Sequence, residues 1–152
     1  MARLGDLTVR VCEAIDATDD DYTPELRDVR GRVDGGCTVL VAVDDVGAVV
    51  GGITYVPGPG RWADRAGGDE AEIRMLVVDP ERRRQGIGEA LVRACIVRAR
   101  ADGRRRLILL TEVFMTDAQR IYERLGFVRT PARDWRYRPD ILLLAYVLEL
   151  AG

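Results

Sequence analysis

Val78-Asp79-Pro80-Glu81-Arg82-Arg83-Arg84-Gln85-Gly86-Ile87-Gly88 is a basic, glycine-bearing turn between two runs of different periodicity. The apolar run Ile73 to Val78 precedes it and the amphipathic run Ile87 to Ala101 follows, so the pattern predicts a strand, a tight turn and a helix. Such a turn suits an anion. Gly86 and Gly88 carry no Cβ, which lets a ligand approach the backbone. The first N–H groups of the helix have no intrahelical partner and carry about half a positive charge. A phosphate or pyrophosphate is the expected guest.

Composition narrows how that guest can be held and what chemistry can follow. The 152 residues include no His, Ser, Lys or Asn, and all 23 basic side chains are Arg. A phosphate-loop lysine, a lysine Schiff base, a Ser-His or Cys-His pair and a His-bearing zinc site are therefore absent. A dinucleotide fingerprint requires a third glycine where Leu91 stands. Any general base must be Asp, Glu, Tyr, Cys, a terminus or water. Cys12, Cys37 and Cys95 are odd in number and widely spaced, which predicts reduced core residues and no metal site.

The length suits one domain, 1–152, with a sizeable core. A net charge of −2 gives no overall field for nucleic acid, and the clusters Arg82 to Arg84 and Arg104 to Arg106 lack interleaved aromatics. No apolar stretch reaches the roughly 18 residues of a membrane helix, and the N-terminus lacks a signal-type apolar segment. No nucleic-acid or membrane partner is expected, and the expected location is cytoplasmic.

Outward from the turn, the chain alternates between the two periodicities. Leu7 to Val11 reads as a strand, and Thr23-Pro24 opens a helix running to about Val33 after the acidic run Asp16 to Asp21. Thr38 to Val43 and Ala48 to Val56 flank Asp44-Asp45-Val46-Gly47 as a hairpin, and Gly51-Gly52 marks a bulge or close approach. Pro57 to Gly68 and Pro131 to Pro139 read as loops. Ala71 to Val78 ends in a continuous apolar run, as a central strand does. The helix from Ile87 shows apolar residues at Ile87, Leu91, Ala94 and Val97 and ends at Asp102-Gly103. Leu107 to Thr111 then forms a parallel partner for Ala71 to Val78. A final helix presents Ala118, Ile121, Tyr122 and Leu125 and ends at Gly126, before strands Phe127 to Thr130 and Ile141 to Leu150.

Arg83-Arg84-Gln85-Gly86-Ile87-Gly88, following Val78-Asp79-Pro80, resembles the acyl-CoA pyrophosphate motif of the GNAT superfamily of N-acetyltransferases, Gln/Arg-x-x-Gly-x-Gly/Ala. Gln119 to Phe127 is similar to the family's closing helix, Tyr-Glu-x-Leu-Gly-Phe, and Ala71-Glu72-Ile73 lies at the family's distance before the turn. The resemblance implies an α/β (α+β) fold with a mixed central sheet of about seven strands, splayed at a β-bulge, with helices on both faces. It implies acetyl-CoA as cofactor: backbone of Leu76, Val77 and Val78 along the pantetheine, N–H groups from Arg84, Gln85, Gly86, Ile87 and Gly88 around the pyrophosphate, and added charge from Arg83 and Arg84. One departure is that Met115 or Thr116 stands where many members carry an Asn that touches the pantetheine.

The implied reaction is direct transfer of an acetyl group, within a ternary complex, to a primary amine of a small molecule or peptide. An alkylamine has a pKa of about 10.4, so a base must take its proton. Glu72 occupies the place where several members carry that base, Glu112 is the competitor, and water relayed through a backbone carbonyl is a third route. Tyr122 matches the family tyrosine that returns a proton to the departing thiolate, and a strand N–H near Val77 would stabilise the developing oxyanion. The rival reading is a non-catalytic acyl-CoA-binding or sensing module. A homodimer is compatible with either.

Overall fold

The computed structural model describes residues 2–4, 7–12, 37–44, 46–59, 66–79, 81 and 86–150. Nine strands form one sheet: β1 Ala2–Leu4, β2 Leu7–Cys12, β3 Thr38–Val43, β4 Val49–Val56, β5 Glu70–Val78, β6 Arg106–Glu112, β7 Val128–Arg129, β8 Trp135–Arg138 and β9 Ile141–Glu149. Helix α1 covers Ile87–Ala101 and helix α2 Thr116–Arg124. The order is β1-β2-β3-β4-β5-β6-β9-β7, with β8 also paired to β9. Among the described residues β5 and β6 are the one parallel pair, as the crossover through α1 requires. The expected mixed sheet is present. The helix expected over Thr23 to Val33 lies outside the described residues, and both described helices pack on one face.

Two stretches differ from the expectation of about seven strands. β1 pairs with β2, and the segment read as a loop, Pro131 to Pro139, contains a 3-10 turn over Pro131–Arg133 followed by β8. Trp135, Arg136 and Arg138 pair with Leu143, Leu142 and Ile141, so β8 and β9 form a hairpin. Arg129 locks the approach to it with a two-pronged bond to Asp134 (2.6 and 2.7 Å), whose Oδ1 also accepts from Ala145 N–H. These contacts override the charged composition of the segment. Strand β7 is correspondingly short, Val128–Arg129 rather than Phe127 to Thr130.

The core lies between the sheet and the two helices. Ala71 and Ile73 of β5, Leu107 and Leu109 of β6, and Leu91 and Cys95 of α1 belong to one buried cluster. Helix α1 buries a wide arc because it touches both the sheet and α2, yet Val97 falls outside that arc and is 66% exposed, against the sequence expectation. Cys95 is fully buried as expected, and Cys37 is also a buried thiol. Asp44 Oδ1 accepts from Val46 and Ala48 N–H groups and closes the β3–β4 hairpin as read from the sequence. No helix of the described residues is long and apolar enough to cross a membrane.

Gly51 determines how closely α1 rests on the sheet. A Cβ there would meet Ile87 Cγ2 at 2.8 Å, Leu91 Cδ1 at 3.2 Å and the Val77 carbonyl oxygen at 3.2 Å. Gly51→Ala is therefore expected to lift the first turn of α1, costing about 1–3 kcal/mol by overpacking. Urea unfolding checks this, and an unchanged midpoint would show that the contact relaxes freely.

Candidate active site

The parallel ladder between β5 and β6 runs from Glu70–Arg106 to Ile73–Leu109 and stops, although β5 continues to Val78 and β6 to Glu112. Two observations explain the parting. β6 stays paired to β9 through Glu112–Leu143, so it runs straight. β5 changes register against β4 between the pairs Gly52–Val77 and Thr54–Arg74, three steps on β5 against two on β4. The additional residue at Met75 or Leu76 makes a bulge, which bends its strand away from a straight neighbour. The expected bulge near Gly51-Gly52 is thus present at that level of the sheet, with its extra residue on β5.

The bend leaves one edge of β5 without a ladder partner. Asp79 N–H donates to the Val50 carbonyl (2.9 Å). In a pleated strand alternate residues face the same neighbour, so Val77 also turns to β4, while Leu76 and Val78 turn their N–H and C=O groups into the gap. The side chains of Leu76 and Val78 pack toward the core under the helices.

Helix α1 begins at the end of this gap. Gly86 is its N-cap with φ 80° and ψ 11°, and no side chain caps it. Ala90 N–H donates to the Gly86 carbonyl (3.0 Å), so the N–H groups of Ile87, Gly88 and Glu89 have no partner within the helix. A Cβ on Gly88 would lie 3.2 Å from Ile121 Cδ1, 3.8 Å from Val78 Cγ2 and 4.0 Å from Leu76 Cδ2. The first turn of α1, the end of β5 and α2 therefore converge where an anion-bearing arm would lie. On Gly86 a Cβ would meet no described residue within 4 Å. Arg83, Arg84 and Gln85 lie outside the described residues.

Tyr122 of α2 is 5% exposed and packs on Phe127 (5.8 Å between ring centroids) and Tyr146 (6.0 Å). Burial, with a smaller contribution from Cys95, holds its phenol above the ordinary value, so it stays neutral and keeps its proton. No hydrogen bond from its hydroxyl to another described residue is formed, and the oxygen is not among the sealed orphan atoms. Gly126 ends the helix just beyond, where Phe127 N–H donates back to the Tyr122 carbonyl (3.0 Å). Met115 immediately precedes α2 and is 40% exposed; Thr116 is its first residue.

The two candidate carboxylates differ in surroundings. Glu72 is 1% exposed and sits within the paired ladder opposite Ile108, on the face away from the helices. Its Oε1 accepts from Ala66 N–H (2.9 Å), and its Oε2 lies 3.8 Å from Arg74 Nε. Nearby Glu70 is gripped by Arg133 through two bonds (2.6 and 2.7 Å), which holds its carboxyl below the ordinary range. Glu112 lies beyond the parting, half-buried, and its carboxylate makes no hydrogen bond or ion pair with another described residue. Tyr122 and the two glutamates thus lie on opposite faces of the sheet.

One group escaped the sequence reading. Thr111 of β6 is 4% exposed, and its Oγ1 is sealed from solvent without a hydrogen-bond partner; Arg104 Nε is the other such atom among the described residues. An unpartnered buried hydroxyl costs about 1–3 kcal/mol. A threonine at the end of an apolar strand carries no sequence signal for this.

Residues 7–127, well over half of the chain, match the profile described as the Acetyltransferase (GNAT) family. The chain belongs to this family. A mycothiol acetyltransferase of Thermobispora bispora is 39% identical over 67 residues, 44% of this GNAT chain and 23% of that protein. N-acetyltransferase 8 of Homo sapiens is 44% identical over 59 residues, 39% of this chain and 26% of that protein. The GNAT chain thus spans about a quarter of the length of these curated relatives. Among solved structures, a GNAT-family acetyltransferase of Desulfovibrio desulfuricans superposes with a TM-score of 0.71 at 24% identity, covering 95% of this chain and 99% of that one. A Salmonella typhimurium acetyltransferase solved with its cofactor acetyl-CoA gives 0.69 at 20% identity, covering 97% and 96%. At these identities the superpositions show the GNAT fold. Acetyl-CoA is the acetyl donor of GNAT acetyltransferases.

Proposed function

We propose that this chain transfers an acetyl group from acetyl-CoA directly to a primary amine, with both reactants bound together. The observation that carries this reading is the gap between β5 and β6 with an uncapped helix N-terminus at one end. Acetyl-CoA supplies an activated acetyl thioester on an amide-bearing arm with a pyrophosphate. The residues present suit it. The N–H groups of Ile87, Gly88 and Glu89 receive the pyrophosphate, reinforced by Arg83, Arg84 and Gln85. The free edge of β5 at Leu76 and Val78 receives the arm's amides, and Gly88 lets the first turn of α1 rest close against that edge and Ile121.

Three groups on this chain then handle charge and protons. The strand alternation favours Leu76 N–H, rather than that of Val77, as donor to the acetyl carbonyl oxygen. Tyr122 gives its proton to the departing sulfur. Burial keeps the phenol protonated until the thiolate departs. A carboxylate takes the amine's proton, and what favours Glu112 over Glu72 is its position past the parting together with an unengaged carboxylate. Glu72, which accepts from Ala66 N–H and lies near Arg74, then holds the backbone at Ala66.

Release of free thiol from acetyl-CoA across a panel of small-molecule and peptide amines tests the reading. Turnover with at least one amine is expected; binding of acetyl-CoA with no turnover on a broad panel favours the sensing module. In the same assay Glu112→Gln is expected to lower kcat/KM by about 10²-fold or more with acetyl-CoA affinity kept. If Glu112→Gln is silent while Glu72→Gln loses activity without loss of stability, the base is Glu72.

A further inference from the structure

The helix-facing row of β6 reads Leu107, Leu109, Thr111: two core side chains, then a hydroxyl that is buried and unbonded. Valine has nearly the same shape without the hydroxyl. Removing a buried polar group that has no partner is neutral or stabilising, so the fold alone favours valine at this position.

Its place in the sheet gives the hydroxyl another purpose. Leu109 stands opposite Ile73 in the last rung before β5 and β6 part. Thr111 is the first helix-facing side chain beyond that rung, and counting outward along both strands brings it level with the Met75–Leu76 bulge. Leu109 is also paired with Tyr146, the ring against which Tyr122 packs. The hydroxyls of Thr111 and Tyr122, neither bonded to another described residue, therefore lie on the same face of the sheet, that of Thr111 sealed from solvent just past the last rung.

We propose that Thr111 binds the acetyl group: its Oγ–H donates to the acetyl carbonyl oxygen, opposite the Leu76 N–H, and so distinguishes an acylated from a free CoA thiol. This rests on the acetyltransferase reading. Thr111 holds that oxygen as the amine nitrogen bonds to the carbonyl carbon and the carbonyl pair moves onto oxygen, and still holds it when the carbon–sulfur bond breaks. The amine proton goes to Glu112 and the sulfur takes the Tyr122 proton. Thr111 itself gains and loses nothing.

Calorimetric titration of acetyl-CoA and of CoA into wild type, Thr111→Val, Thr111→Ala and Thr111→Ser, with thermal unfolding of each ligand-free protein, tests this. Thr111→Val and Thr111→Ala are expected to bind CoA as wild type does and to lose about 5–10-fold in acetyl-CoA affinity, the worth of one hydrogen bond. Thr111→Ser keeps the wild-type ratio, and Thr111→Val unfolds at the same or a higher temperature. A wild-type ratio of acetyl-CoA to CoA affinity in either folded variant lacking the hydroxyl overturns the proposal. So does equal weakening of both ligands, which would assign Thr111 to packing. Failure of wild type to bind either ligand instead removes the acetyltransferase reading itself.

Discussion

Acetyl-CoA binding is expected to fall by at least about 10²-fold in Gly86→Glu. Two causes act together at this residue. The backbone of Gly86 holds φ at 80°, a left-handed conformation that costs a residue with a Cβ about 1–2 kcal/mol. The new carboxylate would then stand among the uncapped N–H groups that are proposed to receive the pyrophosphate. Near a surface, unit charges about 4 Å apart interact by roughly 4 kcal/mol, so charge is the larger cause. A clash with a described residue is not involved, because a Cβ at Gly86 meets none within 4 Å. Gly86→Asn separates the two effects: asparagine tolerates the left-handed region and is neutral, so it is expected to retain most of the affinity. Wild-type affinity in a folded Gly86→Glu protein, measured by calorimetry, would show that the anion is bound elsewhere.

The second large effect is expected at Tyr122. Removal of its hydroxyl in Tyr122→Phe should lower kcat by about 10²-fold or more while leaving acetyl-CoA affinity unchanged, because the ring contacts with Phe127 and Tyr146 remain. Burial raises the phenol's pKa above its ordinary value of about 10. A raised pKa means that the proton persists as pH rises. Activity that depends on this proton is therefore expected to hold through about pH 10 and to fall only above it. A Tyr122→Phe protein with wild-type kcat would remove Tyr122 as the proton donor. An alkaline fall below pH 10 that vanishes in the variant would contradict the buried, neutral phenol.

The strand before the turn and the helix after it were legible because they rest on local rules: a strand pattern, a helix pattern, and a glycine at the left-handed N-cap, Gly86. Helix ends at Gly103 and Gly126 and the Asp44–Gly47 hairpin were legible for the same reason. Features made by distant partners were not. β8 exists because β9 offers an edge and Arg129 grips Asp134, neither of which marks Trp135 to Arg138 in the chain. Val97 follows the apolar spacing of α1 yet faces outward, since the sheet and α2 together define which arc is buried. At the site, periodicity and resemblance bring forward Tyr122, Glu72 and Glu112 as residue types. Which carboxylate is engaged and which is open depends on Ala66 and Arg74 and on where the β5–β6 ladder ends. Thr111 was invisible for a related reason. Its orphan hydroxyl is a property of its surroundings, and threonine in a strand is unremarked by any pattern.

Titration of acetyl-CoA into the wild-type chain, followed by calorimetry, tests most directly whether the gap beside the uncapped helix is a donor site. Saturable binding at one site per chain is the expected result, lost in Gly86→Glu and kept in Tyr122→Phe. No saturable binding up to about 1 mM acetyl-CoA, the upper end of ordinary substrate constants, would contradict it.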